Sequence, residues 1–232
     1  VVNQCDKDEI SEFSYNGYHI KWISTTDRGV GKSRNLAILN SSADILLFAD
    51  EDVVYNDGAM ESVVSFFENN KKVSLATFNF QSLNLQRPET IIKKTHRLYT
   101  WNCLKYGAFR IAVKRFSLLK KNIFFSLLFG GGTLYCAGED NLFVTNCIQR
   151  GLCCYASDLM IGTVAQMEST WFVGYDEKYY SDRGALFAAM YGKASSLMLL
   201  LLELKSVLLK REVGFFKKIK YEFNGIKNFN RR

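Results

Sequence analysis

Ile45-Leu46-Leu47-Phe48-Ala49-Asp50-Glu51-Asp52 decides the fold: an unbroken apolar run, bounded by Asp44 on one side and an acidic triplet on the other. Such a run reads as a strand buried on both faces. Upstream, Val30 to Asn40 is rich in helix formers, Tyr18 to Ser24 alternates Ile20 and Trp22 against His19 and Lys21, and Val1 to Asn3 resembles the end of a strand. Downstream, Asp57 is placed to cap a helix whose Met60, Val63, Val64 and Phe67 recur at i, i+3, i+4 and i+7, and Val73 to Phe80 is a further strand candidate. Alternating strands and helices predict an α/β protein with a mainly parallel sheet flanked by helices. In such sheets ligands bind beyond the carboxyl ends of the strands, which is where Asn3, Thr25 to Arg28 and Asp50 to Asp52 would converge.

Composition sets the outer bounds. The 232 residues suffice for one α/β domain with an appendage, and 48% hydrophobic residues with a single proline, Pro88, describe a packed protein. Six cysteines show no CxxC spacing and do not cluster with His19 or His96, so zinc and redox motifs are not expected, and free thiols favour a cytoplasmic location. The opening Val1-Val2-Asn3-Gln4 has none of the marks of a signal peptide. The net charge of +7 belongs to residues 205–232, with nine Lys/Arg against two Asp/Glu, while the remainder holds 21 of each sign.

Residues 91–135 mix basic and aromatic side chains without clear period and end in the flexible Phe129-Gly130-Gly131-Gly132-Thr133. A helix is predicted over Glu139 to Arg150, with Leu142, Phe143, Cys147 and Ile148 on one side and Gly151 as its stop. Ala185 to Leu204 is apolar but broken by Lys193 and Glu203, and its charge-free pieces fall short of the ~20 residues that span a bilayer.

Three constellations could carry chemistry. Asp50 and Asp52, one residue apart after the buried strand, can share a hard divalent cation, Mn²⁺ or Mg²⁺, with a diphosphate; a solvated acidic turn is the plainer alternative. Arg28-Gly29-Val30-Gly31-Lys32-Ser33-Arg34-Asn35 lies at a strand-to-helix junction, where main-chain N–H groups and cations favour phosphate. Gly31-Lys32-Ser33 matches the end of a P-loop, but position 26, where the first glycine belongs, is Thr. Gly138-Glu139-Asp140 opens a helix, where a carboxylate held ionised by the helix dipole suits a general base, or simply caps the helix.

Taken in order from Val1 to about Gly184, these segments resemble the family 2 glycosyltransferases of the GT-A fold, particularly bacterial members that build surface polysaccharides. The resemblance implies that Asp50 and Asp52 bind metal and the nucleotide diphosphate, with Asp52 the better candidate for direct metal contact. It places Arg28, Lys32, Arg34 and Asn35 on the nucleotide side and Asn3 where the family usually has an aspartate near the base. Asp140 is similar to the catalytic base of a single inverting displacement, with Glu139 orienting the acceptor. The family's first strand and helix would precede Val1. Gln166-Met167-Glu168-Ser169-Thr170-Trp171 keeps only part of the motif of processive members, which favours addition of single sugars. Trp171, Phe172 and Tyr175 could stack on a sugar ring or sit in the core.

The expected division is a nucleotide-sugar half at 1–90, an acceptor half at 91–183 and a helical basic tail at 184–232. The partners implied are a nucleotide-diphosphate sugar and a glycan or lipid-linked acceptor. In the tail, Phe215, Phe216, Ile219, Tyr221 and Phe223 interleaved with lysines suit an anionic membrane surface on the cytoplasmic side; nucleic acid is not expected, because no recognition motif accompanies the charge. Two rival readings are a P-loop-like nucleoside triphosphatase and a catalytically inactive nucleotide-sugar or glycan binder.

Overall fold

The computed structural model describes residues 1–166, 174–208 and 215–231. The chain opens with β1 (Val2–Gln4), β2 (Glu9–Tyr15) and β3 (Tyr18–Thr25), then α1 (Val30–Asn40), β4 (Ile45–Leu47), β5 (Val53–Tyr55), α2 (Ala59–Asn69) and β6 (Leu75–Ser82). It continues with β7 (His96–Arg97), a 3₁₀ turn at Ala108–Arg110, β8 (Ile111–Lys114), α3 (Arg115–Lys120), α4 (Glu139–Gln149) and β9 (Cys154–Val164). The helices α5 (Glu177–Tyr191), α6 (Ser195–Leu208) and α7 (Phe215–Phe229) close it.

The α/β class is as expected, but the sheets are mixed rather than mainly parallel. β1 runs parallel to β3, and β6 parallel to β9; the ladders of β2 on β3, β4 on β8, β6 on β8, and β5 and β7 on β9 are antiparallel. The smaller sheet has the order β1-β3-β2, and the larger β4-β8-β6-β9-β5 with β7 beside β9. Period alone does not fix strand direction, and β8 comes from residues 91–135, where the sequence showed no clear pattern. β2 also went unseen. It is exposed along its length and owes its place to Asn16-Gly17, whose φ of 48° and 82° turn the chain so that Tyr15 faces Tyr18.

The run at 45–49 behaves as read. Leu46 and Phe48 enter the core formed with Ile38, Phe125 and Phe143, while Ile45 and Leu47 pack on the opposite side with Phe66, Phe67 and Phe78. Only Ile45–Leu47 pairs as a strand with β8; the Phe48 amide extends the ladder to Ile111 O at 3.1 Å before the chain turns. In α2 the N-cap is Gly58 rather than Asp57, and Ala59, Val63, Phe66 and Phe67 are buried while Met60 and Val64 are exposed. The inward face is therefore rotated from the one predicted. Helix α4 follows its prediction closely, with Leu142, Phe143 and Cys147 buried and Gly151 in the left-handed region just past its end.

The irregular middle of the chain is organised by Arg110, which is fully buried. Its guanidinium donates to Phe78 O, Thr90 O, Asn79 Oδ1 and Glu89 Oε2, the last at 2.8 Å. A buried cation is tolerable only when its donors are satisfied in this way.

The helical run Glu177–Leu204 is long and apolar enough, by length and composition alone, to cross a membrane, although Lys193 and Glu203 interrupt its apolar part as the sequence showed. In the fold it is bent by a 3₁₀ turn at Gly192–Ala194 and packs one side against the domain. α5 and α7 meet at glycines: a Cβ on Gly184 would lie 1.9 Å from Glu222 O, and one on Gly225 1.9 Å from Ser181 O. Beside this seam Arg183 pairs with Glu203 and Glu222, each at 2.8 Å, and Lys218 with Glu203 at 2.7 Å.

Candidate active site

Arg34 is the centre of the site. It projects from α1, lies over the Phe125 ring at 5.3 Å, and donates to Glu139 Oε1 at 2.8 Å and to Asp50 Oδ1 at 3.2 Å. Phe125 is itself stacked on Phe143, ring centroids 4.0 Å apart, so the cation rests on core aromatics. Burial opposes its charge, but Asp140, Asp50 and Glu139 more than offset this and hold the guanidinium above its ordinary pKa.

The acidic triplet occupies a tight turn between β4 and β5. Val53 N donates to Asp50 O at 3.3 Å, Ala165 N to Asp52 O at 3.0 Å, and Gln166 N to Asp52 Oδ2 at 3.0 Å. Asp50 and Glu51 are exposed and Asp52 is half-buried. Tyr55 supports the turn by donating its hydroxyl to Phe48 O at 3.3 Å; burial and then Asp50 push its pKa up to about 12.

Opposite stands the first turn of α4. Gly138 takes a φ of 101° and lies so close to α5 that a Cβ would come within 2.4 Å of Leu186 Cδ2. The glycine loop permits a second close approach, since a Cβ on Gly130 would lie 2.6 Å from Val30 Cγ1 and 3.0 Å from the Glu139 carboxylate. Asp140 Oδ2 accepts from Ala108 N at 3.0 Å. Burial, then the neighbouring Glu139 charge, push the Asp140 carboxyl up to about 7, with Arg34 and backbone donors opposing them. The sequence predicts an Asp140 held ionised, whereas its surroundings shift it toward the protonated form.

The other predicted residues lie elsewhere. Arg28 donates to Cys5 O at 2.9 Å, Thr26 O at 2.8 Å and Asp6 at 2.7 Å, and Lys32 pairs with Asp27 at 2.6 Å, so both are engaged at the edge of the smaller sheet. Asn35 exchanges hydrogen bonds with the Phe125 backbone, donating to its O at 3.0 Å and accepting from its N at 2.8 Å. It holds the platform under Arg34. Asn3 is half-buried in β1, opposite Ser24. Trp171 and Phe172 lie outside the described residues, and Tyr175 is exposed, meeting Tyr179 edge-on.

The helix start at 29–34 is less open to phosphate than its sequence implied. Val30 N donates to Gly131 O at 3.2 Å, Gln4 Nε2 donates to Gly29 O at 2.9 Å and bonds Ser33 Oγ, and Gly31 abuts the backbone at Ser126. A P-loop needs these amides and the serine hydroxyl free for phosphate and metal.

A cavity of about 430 Å³ adjoins the start of α4, lined by Trp101, Lys105, Gly138, Asn141, Asp182 and Leu186 among others. At its mouth Trp101 is 66% exposed and stacks on Tyr99, centroids 4.7 Å apart. Sequence reading passed over this pair because nothing local marks it; only the fold brings residues 99–105 beside α4 and α5.

The mixed α/β architecture, with helices flanking the sheets, is that of the GT-A fold of glycosyltransferases. Residues 1–125 match the family described as glycosyl transferase family 2, and the chain belongs to that family. Among solved structures, Staphylococcus aureus TarS 1-349 in complex with UDP-GlcNAc superimposes with a TM-score of 0.60 at 15% identity, over 90% of this chain and 63% of that one. The same protein in complex with UDP gives a TM-score of 0.60 at 16% identity, over 84% and 56%. The chain thus spans less than two thirds of each of these two TarS chains. No curated protein matches it.

Proposed function

We propose that this chain transfers a sugar from a nucleotide-diphosphate donor to a hydroxyl of a glycan or lipid-linked acceptor, with inversion at the anomeric carbon. The carrying observation is the Arg34 bridge from Asp50 to Glu139, which sets the acidic turn and the base side by side in one site. Asp140, with Oδ2 fixed by the Ala108 amide, presents its other oxygen to the acceptor hydroxyl. It removes the proton as that oxygen attacks the anomeric carbon and the diphosphate leaves from the opposite face. Glu139 keeps Arg34 in place, and Arg34 is the cation nearest the charge that develops on the leaving diphosphate. The cavity beside Gly138 and Asn141 receives the acceptor, with Trp101 at its mouth.

A divalent cation belongs to this reading. Asp50 and Asp52 offer hard carboxylate oxygens of which one is engaged by Arg34 and one by the Gln166 amide, so each residue keeps an oxygen for a metal. Among the described residues no group of three His, Cys, Asp or Glu side chains could hold the ion by itself. That suits an ion, Mn²⁺ or Mg²⁺, whose remaining ligands are donor oxygens and water. When bound, it supplies neutralisation of the leaving diphosphate. Surface-polysaccharide synthesis in a bacterium, with single sugars added, completes the proposal and rests on the sequence resemblance alone.

The test is sugar transfer and donor hydrolysis by Asp52→Ala and Asp140→Asn variants, beside a thermal-shift panel of nucleotide sugars with and without Mn²⁺. Turnover at the wild-type rate in both variants overturns the assignment. Donor-dependent stabilisation without turnover in the wild type would instead make the protein a binder.

A further inference from the structure

Helix α6 turns an apolar face outward. Leu197, Leu200, Leu201 and Leu204, at i, i+3, i+4 and i+7, are 61%, 37%, 54% and 53% exposed, while Leu199 and Glu203 on the inner side are fully buried. Scattered exposed leucines need no explanation, but four in one helical stripe form a contiguous patch.

The charges around it are sorted. Among the described residues of 192–204 and 216–231 the only carboxylates are Glu203 and Glu222, and both are fully buried against Arg183 and Lys218. The cations Lys193, Lys217, Lys220 and Lys227 remain exposed. The exposed surface of the described residues in these two stretches thus carries leucines and lysines but no carboxylate. Among the described residues expected to face a bilayer, Ile219, Tyr221 and Phe223 are half-buried and Phe216 is 86% exposed, so the apolar part comes chiefly from α6.

We propose that α6 and α7 seat the protein on an anionic lipid surface, the α6 leucines entering the interface and the lysines meeting the headgroups. The buried ion network makes this possible, because it buries and charge-pairs two glutamates that would otherwise repel the headgroups. A spanning role for 177–204 is disfavoured, since Asp182 is buried in α5, Arg183 in α5 is ion-paired, and Glu203 is buried in α6. Interfacial helices of this composition lie in the plane of the bilayer. The proposal does not depend on the assigned reaction.

Co-flotation of the full chain with phosphatidylglycerol/phosphatidylcholine vesicles and with phosphatidylcholine alone tests it. The wild type should float with the anionic vesicles, weakly with the neutral ones, and less at high salt. Leu197→Ser/Leu201→Ser should bind at least about tenfold more weakly, and Lys217→Ala/Lys220→Ala/Lys227→Ala about fivefold more weakly per lysine removed. These side chains are exposed, so circular dichroism and the melting temperature should stay at wild-type values. Failure of the wild type to float with anionic vesicles overturns the proposal. So does a leucine variant that floats as well as wild type, or one whose only change, by light scattering, is conversion of a dimer to a monomer.

Discussion

Arg34 and Glu139, 105 positions apart in sequence, meet at 2.8 Å, and this contact ties α1, the helix after the first strands, to the start of α4, which carries the proposed base. The same guanidinium reaches Asp50, so one side chain sets the spacing of the acidic turn and the start of α4.

Removing that cation should damage catalysis more than folding. Arg34→Gln keeps hydrogen-bonding capacity and loses the charge; kcat for sugar transfer is expected to fall about 10²- to 10³-fold, the usual cost of losing a preorganised group at developing negative charge. Because Arg34 lowers the Asp140 pKa, the acid limb of the rate profile should also move to higher pH. Steady-state kinetics across pH check both.

In the wild type, Asp140 titrates near the working range. With its carboxyl pushed up to about 7, the base is lost as pH falls through about 7, so kcat/KM should drop tenfold per pH unit below it. Stability runs the other way. The folded-state pKa lies above the ordinary carboxylate value, so folding favours the protonated form, and this residue's contribution worsens as pH rises from about 4 through about 7. Asp140→Asn should therefore be inactive yet melt several degrees higher than wild type at pH 8.5, with the gap narrowed at pH 5 and closed only near pH 4. Calorimetry at the two pH values reads the sign.

Chelation should abolish transfer, and Mn²⁺ or Mg²⁺ should restore it in the wild type. In Asp52→Asn the half-saturating metal concentration is expected to rise at least about tenfold. Donor-dependent thermal stabilisation in a metal titration provides a readout independent of turnover.

The seam between α5 and α7 leaves no room for a methyl group. Gly184→Ala and Gly225→Ala each place a Cβ 1.9 Å from a main-chain oxygen of the facing helix, so each should cost about 1–3 kcal/mol as the helices separate. Urea unfolding measures this, and Gly17→Ala is not a suitable control because Gly17 needs its positive φ.

Much of the site was legible in the sequence where chemistry is local. An apolar run ending in Asp50-Glu51-Asp52, and a glycine before Glu139-Asp140, each place their carboxylates by strand or helix periodicity alone. Roles that depend on who stands opposite were not legible. Asn35, read as facing substrate, hydrogen-bonds the Phe125 backbone 90 residues away; Arg28 and Lys32 are taken up by Asp6 and Asp27.

By itself the sequence determined the α/β class, the buried strand at 45–49, the helix after Gly138 and the family, because these follow from side-chain period and short motifs. Tertiary structure alone decided the strand directions, since an antiparallel neighbour such as β8 leaves no mark on the strand it pairs with. It also decided that Arg34 rather than Arg28 or Lys32 joins the acidic turn to Glu139, and that Asp140 is shifted upward, because burial and long-range charge depend on residues far away in the chain.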